Sequence, residues 1–298
     1  MVAEPAETTS AAARASVAHI SWAWLGVVPF FVFAIMFLIL PSAYLVIGAF
    51  QDAQGHFTLA NIYELRKPII VSAYVTSMQL SVLTAVIGAI AGFFIAYAVV
   101  LGGLPRWLRA TLMTFSGVAS NFAGVPLAFA FLATLGRTGL VTVILVQYFG
   151  LNLYSIGFNL LSFWGLVLTY LYFQIPLMVL ILTPALDGLK REWREAAEIL
   201  GGNSYHYWRY IAFPILWPSL LGATLLLFAN AFGAVATAFA LTGPQLNIAT
   251  ILLFAQIRGD ALQNPNLGYA LALGMIVITS VSNGGYIWLR SRSEKWLR

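Results

Sequence analysis

The sequence predicts an all-α polytopic membrane protein with about six transmembrane helices and both termini in the cytoplasm. Three observations predict it. Hydrophobic residues make up 61% of the 298 residues and charged residues 8%, against about 25% charged in a soluble domain. That leaves too little polar surface to cover a water-soluble globule. Apolar runs of the ~20 residues that a bilayer core requires recur along the chain. The basic residues also segregate between the connections, in the way that sets orientation in a membrane.

Taken in order, Met1–Ala18 is small, polar and Ala-rich, and residues 1–21 are expected to be a disordered cytoplasmic tail. The apolar run from Trp22 to about Phe50 far exceeds the roughly 7–15 residues of a signal-peptide core. It reads as a retained helix, Trp24–Phe50, which with a periplasmic loop fills residues 22–68. A core transmembrane domain follows over 69–290, with spans at Ile69–Leu101, Leu108–Leu135, Leu161–Pro184, Ile215–Leu241 and Leu267–Arg290. Gly139–Phe149 is too short to span and is expected to lie at the periplasmic interface. A cytoplasmic tail, 291–298, ends the chain.

Orientation follows from charge. With the N-terminus inside, cytoplasmic segments hold Arg14, Arg106, Arg109, Lys190, Arg191, Arg194, Arg209, Arg290, Arg292, Lys295 and Arg298, and outside segments hold Arg66, Lys67, Arg137 and Arg258. The net charge of +5 therefore has a membrane explanation and implies no nucleic-acid partner. No cysteine is present, which excludes a disulfide framework and a thiolate site. His19, His56 and His206 stand in separate segments, so no metal or catalytic cluster is visible. No charged residue falls in the middle of a span. A proton relay or ion-coupled carrier usually requires one, so the driving energy is expected to come from another protein.

One polar stretch interrupts the apolar pattern, the connection 187–214. Lys190–Leu200 holds good helix formers and no breaker. Gly201, Gly202 and Asn203 stop the helix. Ser204 is expected to N-cap a second short helix over Tyr205–Ile211, and Pro214 and Pro218 mark the start of the fifth span. Ala196 and Ala197 make one side small, Arg194, Glu195 and Glu198 supply charge, and Tyr205, Tyr207 and Trp208 supply rigid contact area. On these grounds a docking surface and an amphipathic interfacial helix fit equally well.

The spacing of the loop separates the two. It resembles the EAA motif of the permease subunits of type I ATP-binding-cassette importers, E-A-A-x3-G-x9-I-x-L-P, at Glu195, Ala196, Ala197, Gly201, Ile211 and Pro214. It departs only at Phe213, where the motif has leucine. The resemblance covers about Ile69–Arg290. It implies that Arg194, Glu195, Ala196, Ala197, Glu198, Gly201, Ile211 and Pro214 form the coupling element that docks on a separate ATPase. It further implies two ATPase subunits, which bind the ATP and Mg, a second permease subunit, an extracytoplasmic solute-binding protein and a multi-pass place in the bacterial inner membrane. The chain itself carries no phosphate loop of the form G-x4-G-K-[ST] and is expected to hold no cofactor and to be no enzyme.

Leu200 stands where sugar-transporting members commonly carry aspartate. EAAEILGG looks more like the polyamine, phosphonate, iron and thiamine branch, and the segments around Ala240–Gln245 and Asn264–Gly274 resemble spermidine/putrescine permeases. That branch usually pairs two different permeases, which implies a heterodimer with a paralogue. Polar residues inside the spans are the candidates for the translocation path: Gln79, Asn121, Gln174 and Asn230. The commoner role of such an amide is an interhelical hydrogen bond, since an unpaired one in hydrocarbon is costly. Asn121 and Asn230 are the favoured path pair, because both sit among small residues (Ala119, Ser120, Ala123; Ala229, Ala231) where a cavity could open. The competing function is an ion-coupled secondary transporter or channel acting without an ATPase.

Overall fold

The computed structural model describes residues 26–257 and 265–293. The expected N-terminal tail, most of the 291–298 tail and the segment holding Arg258 and Asn264 lie outside the described residues. By compactness the chain divides into a unit that ends at Tyr44 and a unit that begins at Leu45. Helix α1, Val28–Ala49, is 22 residues with a mean hydropathy of 2.6. It widens into a π turn at Ile35–Ile39, where the Leu40 N–H reaches back to the Ile35 carbonyl. Pro41 follows two residues after the turn. A proline has no N–H to give and its ring presses on the carbonyl four residues earlier, so a wider turn just before it relieves both.

The second unit opens with a short helix, α2 (Ala60–Glu64), and the 34-residue α3 (Pro68–Leu101). At 1.5 Å per residue α3 is about 51 Å long, more than the ~30 Å of a bilayer core. Its buried face is almost all small: Ala73, Ser77, Ser81, Ala85, Gly88, Ala89, Gly92 and Ala96. A stripe of this kind lets another backbone come close. The helix that does so is α7 (Phe163–Asp187), Ser162-capped at its start and carrying Pro176 and Pro184 within it. A Cβ built on Gly92 would fall 2.5 Å from the Met178 Cβ, and one on Gly88 would fall 3.1 Å from the Gln174 Cβ.

Between α3 and α7 the chain forms α4 (Arg106–Asn121), α5 (Val125–Leu135) and α6 (Leu140–Phe149). The third span, expected as one helix over Leu108–Leu135, is therefore two helices. Phe122–Gly124 leaves the helix with Gly124 at φ +76°, a conformation that suits glycine, and Pro126 then starts α5 where its missing N–H costs nothing. The apolar window long enough to cross a bilayer runs Val125–Phe149 instead, because α4 carries Arg106, Arg109, Thr111 and Ser116. Gly139–Phe149, expected to be too short to span and to lie at the interface, forms α6 and falls within that longer window, with Arg137 between α5 and α6.

After α7 come α8 (Arg191–Ile199) and α9 (Ser204–Gly233), a single helix whose early turns, Trp208–Ala212, are π-helical. The second arm of the polar loop is thus no separate short helix. It runs into the fifth span because the π turn ends two residues before Pro214 and absorbs that proline, as its counterpart does in α1. The fifth span also stops earlier than expected. At Ala234 the chain breaks (φ −78°, ψ 73°), and α10 (Val235–Thr242) and α11 (Ala249–Ile257) follow. The stretches 235–245 and 249–256 turn on each other by 84°. This bent pair is tied to α3 by Asn247 Nδ2, which donates to the Ile69 carbonyl at 2.8 Å, and by the Ala249 N–H, which donates to Ser77 Oγ at 2.8 Å. Helix α12 (Pro265–Ser293) completes the bundle. It lies on α9, where Ser282 Oγ donates to the Leu225 carbonyl at 2.7 Å and Gly222 admits the Tyr286 ring.

Gly92→Ala is expected to destabilise the protein by about 1–3 kcal/mol, since Met178 Cβ and the Ile175 carbonyl cannot both move aside. Gly117→Ala, with no atom within 4 Å of the added Cβ, is expected to leave the melting temperature unchanged or raise it. Thermal unfolding of both purified variants in one detergent checks the pair.

Candidate functional site

The polar connection folds as an elbow, and its geometry comes from its own backbone. Helix α8 ends in a motif that closes its last carbonyls: the Gly201 N–H bonds the Glu198 carbonyl at 3.0 Å and the Gly202 N–H bonds the Ala197 carbonyl at 2.8 Å. This closure needs a left-handed residue, and Gly201 supplies it at φ +80°. The second arm is capped by Asn203, not by Ser204. The Asn203 Oδ1 accepts the His206 N–H at 3.1 Å and lies 2.7 Å from His206 Nδ1. Asn203 stands outside the helix in extended backbone, whereas Ser204 is already in it.

On α8, Arg191 pairs with Glu195 at 2.9 Å and Arg194 with Glu198 at 3.2 Å. Both pairs are exposed and span one turn, so they add little to stability. They do fix where the charge stands. Ala196 is exposed beside them. At the tip, Ile199 and Leu200 are 85% and 87% exposed, two large apolar side chains held out by the turn that follows. Glu195, Ala196, Ala197, Glu198 and Gly201 are thus together on one short helix and its stop. Ile211 and Pro214 lie on the second arm, in and just after the π turn. Tyr207 is buried and Trp208 packs edge-on against Tyr97 of α3, ring centres 5.3 Å apart. These contacts seat the elbow on the end of α3. Nearby, Arg109 Nη2 reaches both carboxylate oxygens of Asp187 at 2.9 and 2.8 Å, tying the start of α4 to the end of α7.

Far along α9 a different feature forms. The break between α4 and α5 faces the break between α9 and α10. The Gly124 N–H donates to Thr237 Oγ1 at 2.7 Å, and the buried Tyr170 hydroxyl donates to the Ala234 carbonyl. A backbone group freed from a helix away from water needs a partner, and these bonds satisfy one such group at each break. Around the two breaks lies a cavity of about 410 Å³, with Ser120, Gly124, Asn230 and Thr237 on its wall and no ionisable residue among those lining it.

The four path candidates separate. Asn230 is on the wall of that cavity. Asn121 sits one residue from it, but its Nδ2 turns back on its own helix to the Gly117 carbonyl at 2.9 Å. Gln174 is fully buried: its Nε2 lies 3.1 Å from the Leu227 carbonyl and 3.4 Å from Thr84 Oγ1, so it bridges α3, α7 and α9. Gln79 is on the outward face of α3, beside an apolar groove of about 610 Å³ formed with Met78, Val82 and Phe163. Gly124 and Thr237 were not singled out by sequence, whereas Ser120, Ala123 and Ala229, small residues beside the favoured pair, do line the cavity. Gly124 with Pro126 is the one signal that could have flagged the α4–α5 break.

No protein-family model matches the chain. It is 30% identical over 168 residues to a probable sulfate transport system permease protein of Chlorella vulgaris, covering 56% of this chain and 59% of that one. A probable sulfate transport system permease protein of Nephroselmis olivacea is 25% identical over 226 residues, 75% and 73% of the two chains. The thiamine transport system permease protein of Escherichia coli is 27% identical over 161 residues, 54% of this chain and 29% of that. The chain spans 59% and 55% of the lengths of two of the sulfate-system relatives. Among solved structures, a bacterial ABC transporter involved in the import of the acidic polysaccharide alginate superposes with a TM-score of 0.68 over 92% of this chain and 95% of that one, at 14% identity. The fold is therefore shared with an importer of that class.

Asn203→Ala is expected to lose about 1 kcal/mol of local stability at the elbow, and Ser204→Ala to lose none through capping. Faster amide exchange over residues 205–207 in the first variant alone is the result that checks the assignment.

Proposed function

We propose that this chain, which has the fold of an ABC-importer permease, is the permease subunit of an ATP-driven importer for a small solute. The observation that carries the reading is the elbow: Glu195, Ala196, Ala197 and Gly201 stand on one short helix and its stop, at the motif's spacing, with Ile199 and Leu200 exposed at the tip. A tip of exposed apolar side chains ringed by fixed charges is the form of a docking element. In the proposed arrangement it docks on an ATPase subunit that binds ATP and Mg. The chain works beside a second permease, a paralogue, and receives its solute from an extracytoplasmic binding protein. It sits in a bacterial inner membrane with the elbow in the cytoplasm, as the basic residues favour.

The cavity between the two helix breaks is the proposed stretch of the path, with Asn230 as its side-chain polar group. Its wall carries no carboxylate, so a polycation would find no counter-charge there. The relatives named above carry sulfate and thiamine in their names, and neither supports the polyamine resemblance. The proposed substrate is accordingly a small solute recognised by neutral dipoles within the membrane, with selectivity set by the binding protein.

In proteoliposomes holding this chain, its partner permease and the ATPase encoded beside it, Leu200→Asp is expected to lower ATP-driven uptake tenfold or more, a loss on the order of the ~2 kcal/mol of an interface hot spot. The variant should insert and melt like the parent, because Leu200 is exposed. Uptake that needs an ion gradient and no ATPase would establish the secondary-transporter reading instead.

A further inference from the structure

Between the elbow and the last turn of α3 lies a second cavity, of about 710 Å³. One side is apolar, made by Val100, Leu101 and the Trp208 ring. The other is the start of α8, with Lys190, Arg191 and Arg194. Both acidic residues that line it are already paired, Glu195 with Arg191 and Glu198 with Arg194. Lys190 has no carboxylate partner among the described residues; its ammonium lies 5.9 Å from the centre of the Trp193 ring. The cavity therefore holds one uncompensated positive charge beside apolar side chains, at the C-terminal end of α3. Helix α8 also begins there with no side chain capping its first N–H groups.

We propose that this cavity binds the headgroup of a singly anionic phospholipid, with the phosphodiester on Lys190 and the acyl chains against Val100, Leu101 and Trp208. One negative charge matches the one left over. A soluble anion would use the charge but not the apolar wall, and a zwitterionic lipid would bring a cation with nothing left to meet it. Basic pockets between membrane helices are suited to this chemistry. The inference rests on the chain spanning a membrane and on this cavity alone. It does not require an ATPase partner, so it can fail while the transport reading stands.

The test is thermal unfolding of the full chain in one neutral detergent, titrated separately with dihexanoylphosphatidylglycerol, dihexanoylphosphatidylcholine and inorganic phosphate. Saturable stabilisation by the phosphatidylglycerol alone is expected, with half-saturation moved about fivefold higher in Lys190→Ala and restored in Lys190→Arg. Equal stabilisation by the phosphatidylcholine would mean a generic amphiphile effect and overturn the proposal. Stabilisation by phosphate alone would overturn it in favour of a soluble-anion site. An unchanged titration in Lys190→Ala would remove the site from this cavity. If Lys190→Ala does not purify folded, Lys190→Gln is read in the same way.

Discussion

The close approach of α3 and α7 is the constraint on which the rest of this bundle depends. In hydrocarbon no hydrophobic effect drives one helix onto another, so association relies on packing and on interhelical hydrogen bonds. The small residues of α3, spaced mostly four apart, supply the packing. Gln174 supplies a bond that only this approach permits. Its Cβ lies where a Cβ on Gly88 would touch it, and from there its amide reaches the third helix, α9, at the Leu227 carbonyl. Three helices are thereby placed by one residue and the gap beside it. Helix α12 then follows α9 through the same device on a smaller scale, with Gly222 under the Tyr286 ring.

With the bundle fixed, the two helix breaks become intelligible. A broken helix at membrane depth is tolerated where its freed groups find partners within the protein. Here the breaks serve each other: Thr237, at the start of α10, takes the Gly124 N–H, and Tyr170, on the central helix α7, takes the carbonyl of Ala234. The Tyr170 bond could not form if α7 sat farther from the end of α9. The cavity between the breaks is lined mostly by small apolar residues, and Asn230, Ser120 and Thr237 are the polar side chains on its wall.

Much of this was legible in the sequence. The spans show as apolar runs because the bilayer imposes their length, and the elbow shows because Glu195, Ala196, Ala197 and Gly201 must keep fixed spacing for the helix and its stop to form. Gly201 was readable for a local reason, its left-handed backbone. The misreadings are of another kind. Asn203 and Ser204 are both good caps, and which one serves depends on where the extended backbone ends. Pro214 looked like a boundary, but a π turn can carry a helix through a proline, and no residue in Trp208–Ala212 announces that turn. The break at Ala234 has only Gly233 beside it. The Ala234 carbonyl is met by Tyr170, which lies 64 residues away in sequence. The division of Gln174 from Asn230, one a tie and the other a wall, depends in the same way on which helices meet.

The proposed function asks how an event at the elbow could be felt at the cavity, and α9 offers a physical route. Its 30 residues form one helix about 45 Å long. Its first turn is the second arm of the elbow, and its last holds Asn230 and Gly233 at the cavity wall. A rigid rod moved at one end must move at the other. It is held to the core near Leu227, close to its far end, by the Gln174 amide, so a displacement of the elbow becomes a tilt about that point with the long arm on the elbow side. The π turn before Pro214 lies on the elbow side of the tie. The Arg109–Asp187 pair holds the neighbouring end of α7 to α4, so the core against which α9 tilts is itself anchored at the elbow end. On this geometry the elbow and the helix breaks are two ends of one lever, and the small-residue stripe of α3 sets the position of its fulcrum.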